Sequence, residues 1–132
     1  MDSTDKSTNK KKILIVDDDS FLLDMYALKF TQSGYDVDTA LGSVVAFEKI
    51  KNGATADILL LDIVMPVMDG FELLEELKKE NLFTDTATIV LSNRGQQADI
   101  DRGNALGVAG YIIKANSTPS EVIAKVNELL KI

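Results

Sequence analysis

The sequence predicts an α/β fold, a doubly wound (βα)5 three-layer sandwich on a five-stranded parallel sheet. Three observations carry this. Five short apolar runs punctuate the chain, and helix-length segments with start and stop signals separate them. Two of the runs, Ile13–Val16 and Ile58–Leu61, contain no polar residue, as strands covered on both faces do. Strict alternation of strand and helix favours right-handed crossovers that place helices on both sides of the sheet.

Residues 1–10 are polar and aperiodic, and predict a flexible tail ahead of one domain over residues 11–132. Ile13–Val16 is the first strand. A helix over residues 20–33 follows, with Asp19 or Ser20 as its cap, Phe21, Leu22, Met25, Leu28 and Lys29 at helical spacing, and Gly34 as its stop. Tyr35–Ala40 alternates apolar with polar and reads as an edge strand. Residues 44–52 form a short helix with Ser43 placed to cap it and Gly53 to end it. Ile58–Leu61 is the third strand. Asp69-Gly70-Phe71-Glu72 is a capping box that opens a helix to about Glu80. Thr88–Leu91 is the fourth strand, and residues 96–106 a helix weakened by Gly103. Ala109–Ile113 is the fifth strand. Thr118-Pro119-Ser120-Glu121 joins a capping Thr, an early Pro and a Glu three residues on, and starts the last helix, 119–131. That helix reaches the end of the given sequence, so no output domain is expected within it.

A chain of 132 residues suits one domain with a core of its own. It is 45% hydrophobic and 27% charged, as globular chains are. No apolar run approaches the roughly 20 residues of a membrane span, and the polar N-terminus has no signal-peptide pattern. The expectation is a cytoplasmic protein with no membrane partner. There is no Cys and no His. Disulfides, thiolate metal sites, a Ser-His-Asp triad and phosphohistidine on this chain are excluded, and a zinc site is disfavoured. The net charge of -7 argues against direct nucleic-acid binding. Residues 1–12 hold four Lys and two Asp, a net +2, which leaves -9 on the rest. An acidic body of this kind suits a domain that holds a cation.

Ligands of doubly wound sheets bind beyond the carboxyl ends of the strands. Asp17-Asp18-Asp19 follows the first strand, Asp62 ends the third, Ser92 follows the fourth and Lys114 ends the fifth. A single Asp after a strand is usually a helix cap, a lone Ser is a loop residue, and a lone Lys is a solvated one. Their coincidence on one rim gives them weight. Clustered carboxylates repel unless a cation intervenes, and a hard divalent ion such as Mg²⁺ relieves that repulsion through oxygen ligands. A Lys and a Ser hydroxyl opposite would bind and neutralise a phosphoryl group, with a carboxylate as its acceptor.

These segments resemble the receiver domains of two-component response regulators, in the manner of a single-domain, CheY-like regulator. Ile13-Leu14-Ile15-Val16-Asp17-Asp18-Asp19 is similar to their opening segment, and Leu61-Asp62-Ile63-Val64-Met65-Pro66-Val67-Met68-Asp69-Gly70 to their phosphorylation-site segment. Val90-Leu91-Ser92 and Gly110-Tyr111-Ile112-Ile113-Lys114 match the later strands, so the resemblance spans about residues 11–131. It implies the flavodoxin-like strand order 2-1-3-4-5. It implies Asp62 as phosphoacceptor, Asp18, Asp62 and the Val64 carbonyl as Mg²⁺ ligands, and Asp17 as holder of a metal-bound water. Mn²⁺ would substitute for Mg²⁺. Lys114 would pair with the phosphoryl oxygens. Ser92 would bind the phosphoryl group and move inward, and Tyr111 would follow as an aromatic switch. Met65-Pro66 and Gly70 would shape the loop. The implied partners are a histidine kinase or phosphotransfer protein and a downstream effector. The fourth helix, fifth strand and fifth helix would form the output face, on a monomer or weak dimer. Such a domain phosphorylates and dephosphorylates only itself, and is a signalling module rather than an enzyme.

Two residues depart from the pattern. Ala115 follows Lys114 where the family usually has Pro, often in a cis peptide. A cis bond before a non-proline residue costs about 2.5–4 kcal/mol, so a trans Lys114–Ala115 bond is expected. Asn93 follows Ser92 where a small residue is usual, and altered phosphorylation or dephosphorylation rates are expected from it. Three other readings compete with this one. A haloacid-dehalogenase-type phosphatase would use Asp17-Asp18-Asp19, Ser92 and Lys114, but it needs carboxylates after the Lys, and residues 115–120 have none. A pseudo-receiver would dock partners without accepting phosphate, yet every acidic, Ser and Lys position is filled. A flavin site is disfavoured by an acidic first loop where a phosphate cradle needs Gly and backbone amides.

Overall fold

The computed structural model describes residues 10–132, so nearly all of the tail expected over 1–10 lies outside the described residues. The strands are β1 (Lys12–Asp17), β2 (Asp36–Leu41), β3 (Ile58–Leu61), β4 (Ala87–Ser92) and β5 (Gly110–Ile113). The helices are α1 (Ser20–Gln32), α2 (Ser43–Lys51), α3 (Gly70–Lys79), α4 (Gln97–Ala105) and α5 (Pro119–Leu130), with a 3-10 turn at Lys114–Asn116. All strand pairs are parallel, in the order β2-β1-β3-β4-β5. Alternating β2 lies at one edge, as its pattern predicts. Among the described residues no helix is long and apolar enough to cross a membrane.

Because side chains alternate along a strand, β1 feeds two cores. Ile13 and Ile15 pack with Leu23, Tyr26 and Phe30 of α1 and with Val122, Ile123 and Val126 of α5. Leu14 and Val16 pack with Ala46 and Ile50 of α2 and with Leu73, Leu74 and Leu77 of α3. These two cores make the three layers. Phe30 and Phe71 are fully buried, and truncating either to Ala would cost about 3–5 kcal/mol.

Two local expectations are corrected. In α1 the buried stripe is Leu23, Tyr26 and Phe30, while Phe21 and Leu28 are 75% and 58% exposed. Both sets fit a helical period, and the packing of Leu23, Tyr26 and Phe30 against β1 and α5 chooses between them, while Asp19 caps the helix through the amides of Phe21 and Leu22. In α2 the cap is Gly42, at φ 92°, rather than Ser43. Ser43 is the first helical residue, buried, with its hydroxyl on Met65 Sδ at 3.6 Å. The capping boxes of α3 (Asp69 with Glu72) and α5 (Thr118 with Glu121) form as the sequence predicts.

Burial raises the phenol pKa of Tyr26, Tyr35 and Tyr111 above the ordinary tyrosine value. The folded chain then keeps these protons to higher pH than the unfolded chain. The contribution of these three groups to stability is flat below about pH 10 and falls as pH climbs further. Thermal midpoints measured from pH 8 to 11 should show that fall, and a rise above pH 10 would contradict it.

Candidate functional site

The parallel sheet brings the carboxyl ends of β1, β3, β4 and β5 to one rim. Val16 pairs with Leu61, so the next residues, Asp17 and Asp62, stand side by side. Ser92 pairs with Ile113, which puts Lys114 one residue past the end of β5. Asp17 and Asp62 are 4% and 8% exposed, and Asp18 is exposed. One carboxylate oxygen from each of Asp17, Asp18 and Asp62 lies within 4.8 Å of the others.

Lys114 holds this cluster from across the sheet. Its Nζ lies 2.7 Å from Asp17 Oδ2 and 3.0 Å from Asp62 Oδ2. Burial pulls the Lys114 pKa down, but the hydrogen bonds and charges of Asp17 and Asp62 outweigh it and raise it above the ordinary lysine value. The remaining carboxylate oxygens are set by backbone amides. Asp62 Oδ1 accepts from Ile63 N at 2.7 Å, with Val64 N at a long 3.4 Å, and Asp17 Oδ1 accepts from Asp19 N at 3.0 Å.

The loop after Asp62 is held at Pro66 and Gly70. The Gly70 amide donates to the Ile63 carbonyl at 2.8 Å, and a Cβ at Gly70 would sit 2.4 Å from the Asp62 backbone oxygen. No residue with a side chain fits that approach. The Pro66 carbonyl accepts from Met68 N at 2.8 Å, with Val67 between them at φ 70°. A β-branched residue there is strained, five residues past Asp62.

On the other flank, Ser92 is fully buried, and its Oγ accepts from the Arg94 amide at 3.2 Å. A hydroxyl that accepts can still donate. The Tyr111 hydroxyl donates to the Arg94 carbonyl. One peptide residue, Arg94, therefore touches both expected switch side chains. The Arg94 guanidinium in turn pairs with Asp99 at 2.9 Å, and Asp99 Oδ2 accepts from Gln96 N at 3.1 Å. The sequence reading missed this clasp. Its signal was an Asp in the first turn of a helix, five residues after an Arg. Asp99→Ala should cost about 1–2 kcal/mol through the lost first-turn contact and partly exposed pair. A thermal midpoint unchanged within error would rule that out.

The Lys114–Ala115 bond is trans, since no cis peptide occurs among the described residues. A cleft of about 370 Å³ opens near the amino end of β4, lined by Leu77, Phe83, Thr86, Thr88 and Leu106, and contains none of the rim residues. The three carboxylates and Lys114 thus lie on the rim, outside this cleft.

A protein-family model described as the response regulator receiver domain matches residues 13–127. The chain belongs to this receiver family. The receiver domain is 35% identical over 123 residues to a probable transcriptional regulator, ycf27, of Cyanophora paradoxa, a match covering 93% of this chain and 49% of that protein. It is 33% identical to the response regulator SaeR of Staphylococcus aureus, over 89% of this chain and 50% of that protein. The chain thus spans about half the length of the curated relatives it matches. Among solved structures it is similar to a CheY-like receiver domain protein of Methanospirillum hungatei JF-1. That likeness has a TM-score of 0.82 and 29% identity, over 93% of this chain and 95% of that one. Receiver domains are signalling modules of two-component systems, and the phosphatase and docking-only readings are not favoured beside these matches.

Proposed function

We propose that the receiver domain, spanning residues 11–132, works in the cytoplasm and accepts a phosphoryl group on Asp62 from a histidine kinase or phosphotransfer protein. The observation that carries this is the Lys114 ammonium shared by Asp17 and Asp62 beside three converging carboxylates. Their oxygens are the hard donors that Mg²⁺ prefers, with Mn²⁺ as a substitute, and their close approach fits one ion. Asp18, Asp62 and the Val64 carbonyl would hold it, with Asp17 acting through a water. When bound, the ion neutralises the phosphoryl oxygens and the carboxylates together.

In the transfer, an Asp62 oxygen forms a bond to phosphorus as the bond to the donor's nitrogen or oxygen breaks, and an acyl phosphate results. The Ile63 amide fixes the carboxylate beforehand. Lys114 turns from Asp62 to the new phosphoryl oxygens. Ser92 moves inward and donates its hydroxyl to another oxygen. That draws on the Arg94 peptide, whose carbonyl holds Tyr111, and so shifts the α4–β5–α5 face toward an effector protein. Water later hydrolyses the acyl phosphate at the same site.

Intact mass after incubation with acetyl phosphate tests this. A gain of one phosphoryl group that requires Mg²⁺ is expected. No gain, with Mg²⁺ binding shown separately, would leave the docking-only reading.

A further inference from the structure

The two departures from the family's pattern touch each other. Ala115 carries an N–H that a Pro would lack, and the Asn93 side chain accepts it, with Ala115 N 2.7 Å from Asn93 Oδ1. Among the described residues no other hydrogen bond joins residues 93–96 to residues 114–117. The other end of the same peptide unit is also held, because the Lys114 carbonyl accepts from Ser117 N at 3.2 Å. A peptide is planar, so these two bonds fix the plane that leaves Lys114. Lys114 itself opens the 3-10 turn, a conformation that Pro at the next position disfavours. From this backbone its ammonium reaches Asp17 and Asp62.

We infer that Asn93 is a positioning residue for Lys114, acting through the Lys114–Ala115 peptide. Its effect on phosphoryl transfer rests on the reading of Asp62 as acceptor, while its effect on Lys114 does not. The sign of the effect separates this role from simple obstruction. An Asn93 that only narrowed access to the rim would slow transfer, and its removal would speed it. A positioning Asn93 does the reverse.

The experiment compares wild type, Asn93→Ala, Ala115→Pro and the double variant. Two readouts are taken: the ε-carbon NMR resonance of Lys114, and the rate of mass gain with acetyl phosphate and Mg²⁺ across donor concentrations. Asn93→Ala should move the resonance and lower the maximal rate by about three- to tenfold, what one hydrogen bond of ordinary net strength supplies. The half-saturating donor concentration should change little. In the Ala115→Pro background, where no N–H remains, Asn93→Ala should leave the resonance in place and change the rate by less than about twofold. An unmoved resonance, a faster rate, or equal effects in both backgrounds would overturn the inference. A wild type that takes no phosphoryl group would refute the acceptor reading alone, and the resonance would then decide the positioning role. If Ala115→Pro does not fold, Asn93→Asp serves, since it keeps the accepting oxygen. It should restore the Lys114 resonance and the protection of the Ala115 amide, and failure to do so would equally overturn the inference.

Discussion

Asp62→Asn is expected to abolish the gain of one phosphoryl group from acetyl phosphate while leaving the fold intact. The amide is close to isosteric with the carboxylate, and its carbonyl oxygen can keep the bond from the Ile63 amide that Asp62 Oδ1 makes at 2.7 Å. Lys114 keeps Asp17 as a partner, so no buried charge is orphaned. What is lost is the nucleophile, because an amide oxygen is far weaker than a carboxylate toward phosphorus. Intact mass with Mg²⁺ gives the readout, and a thermal midpoint within a few degrees of wild type is the control for folding. An adduct that persists on the variant would move the acceptor to Asp17 or Asp18.

Lys114→Ala should produce the second large effect, and it has two parts. Asp17 and Asp62 would lose their shared cation while both remain nearly buried, at 4% and 8% exposed. Breaking such an arrangement from one side costs about 3 kcal/mol in metal-free buffer. Three carboxylates less one ammonium leave two negative charges, which one divalent ion balances. Without Lys114 the cluster gains more from that ion. Mg²⁺ should therefore raise the thermal midpoint of the variant by more than that of wild type. The rate of transfer should fall about a hundredfold, since a fixed charge facing the transferred group is gone. An identical response to Mg²⁺ in both proteins would show that Lys114 does not neutralise the cluster.

Much of this was legible because strand periodicity and rim position are local properties of sequence. Ile13–Val16 and Ile58–Leu61 announced central strands, and the residues immediately after the apolar runs announced the rim. Capping boxes at Asp69 and Thr118 named their own helices. Helix phase was less legible. Phe21 and Leu28 repeat as well as Leu23, Tyr26 and Phe30 do, and only packing chooses between them. Ser43 looked like a cap because capping preference ignores that Gly42 can take φ 92° and leave the Ser hydroxyl for Met65. The Arg94–Asp99 pair left only a weak local signal, and the Asn93–Ala115 bond left none, for another reason. Each depends on the three-dimensional course of loops, and no periodicity encodes that.

The burial of α4 is unlike that of the other helices. Its buried residues are Asp99 and Gly103, while Ile100 is half-buried, so it inserts no fully buried apolar side chain into either core. By contrast α3 buries Phe71, Leu73, Leu74 and Leu77, and α5 buries Val122, Ile123 and Val126. Opening α4 by itself thus forfeits little hydrophobic burial, and its local unfolding costs only a fraction of the global free energy. The molecule pairs a rigid floor of strands under the carboxylates with an adjoining unit held largely by polar contacts: the Arg94–Asp99 and Arg102–Glu75 ion pairs, the Arg102 guanidinium over Phe71, and a few loop hydrogen bonds. A small electrostatic change at the rim is then large against the energy that keeps this unit in place.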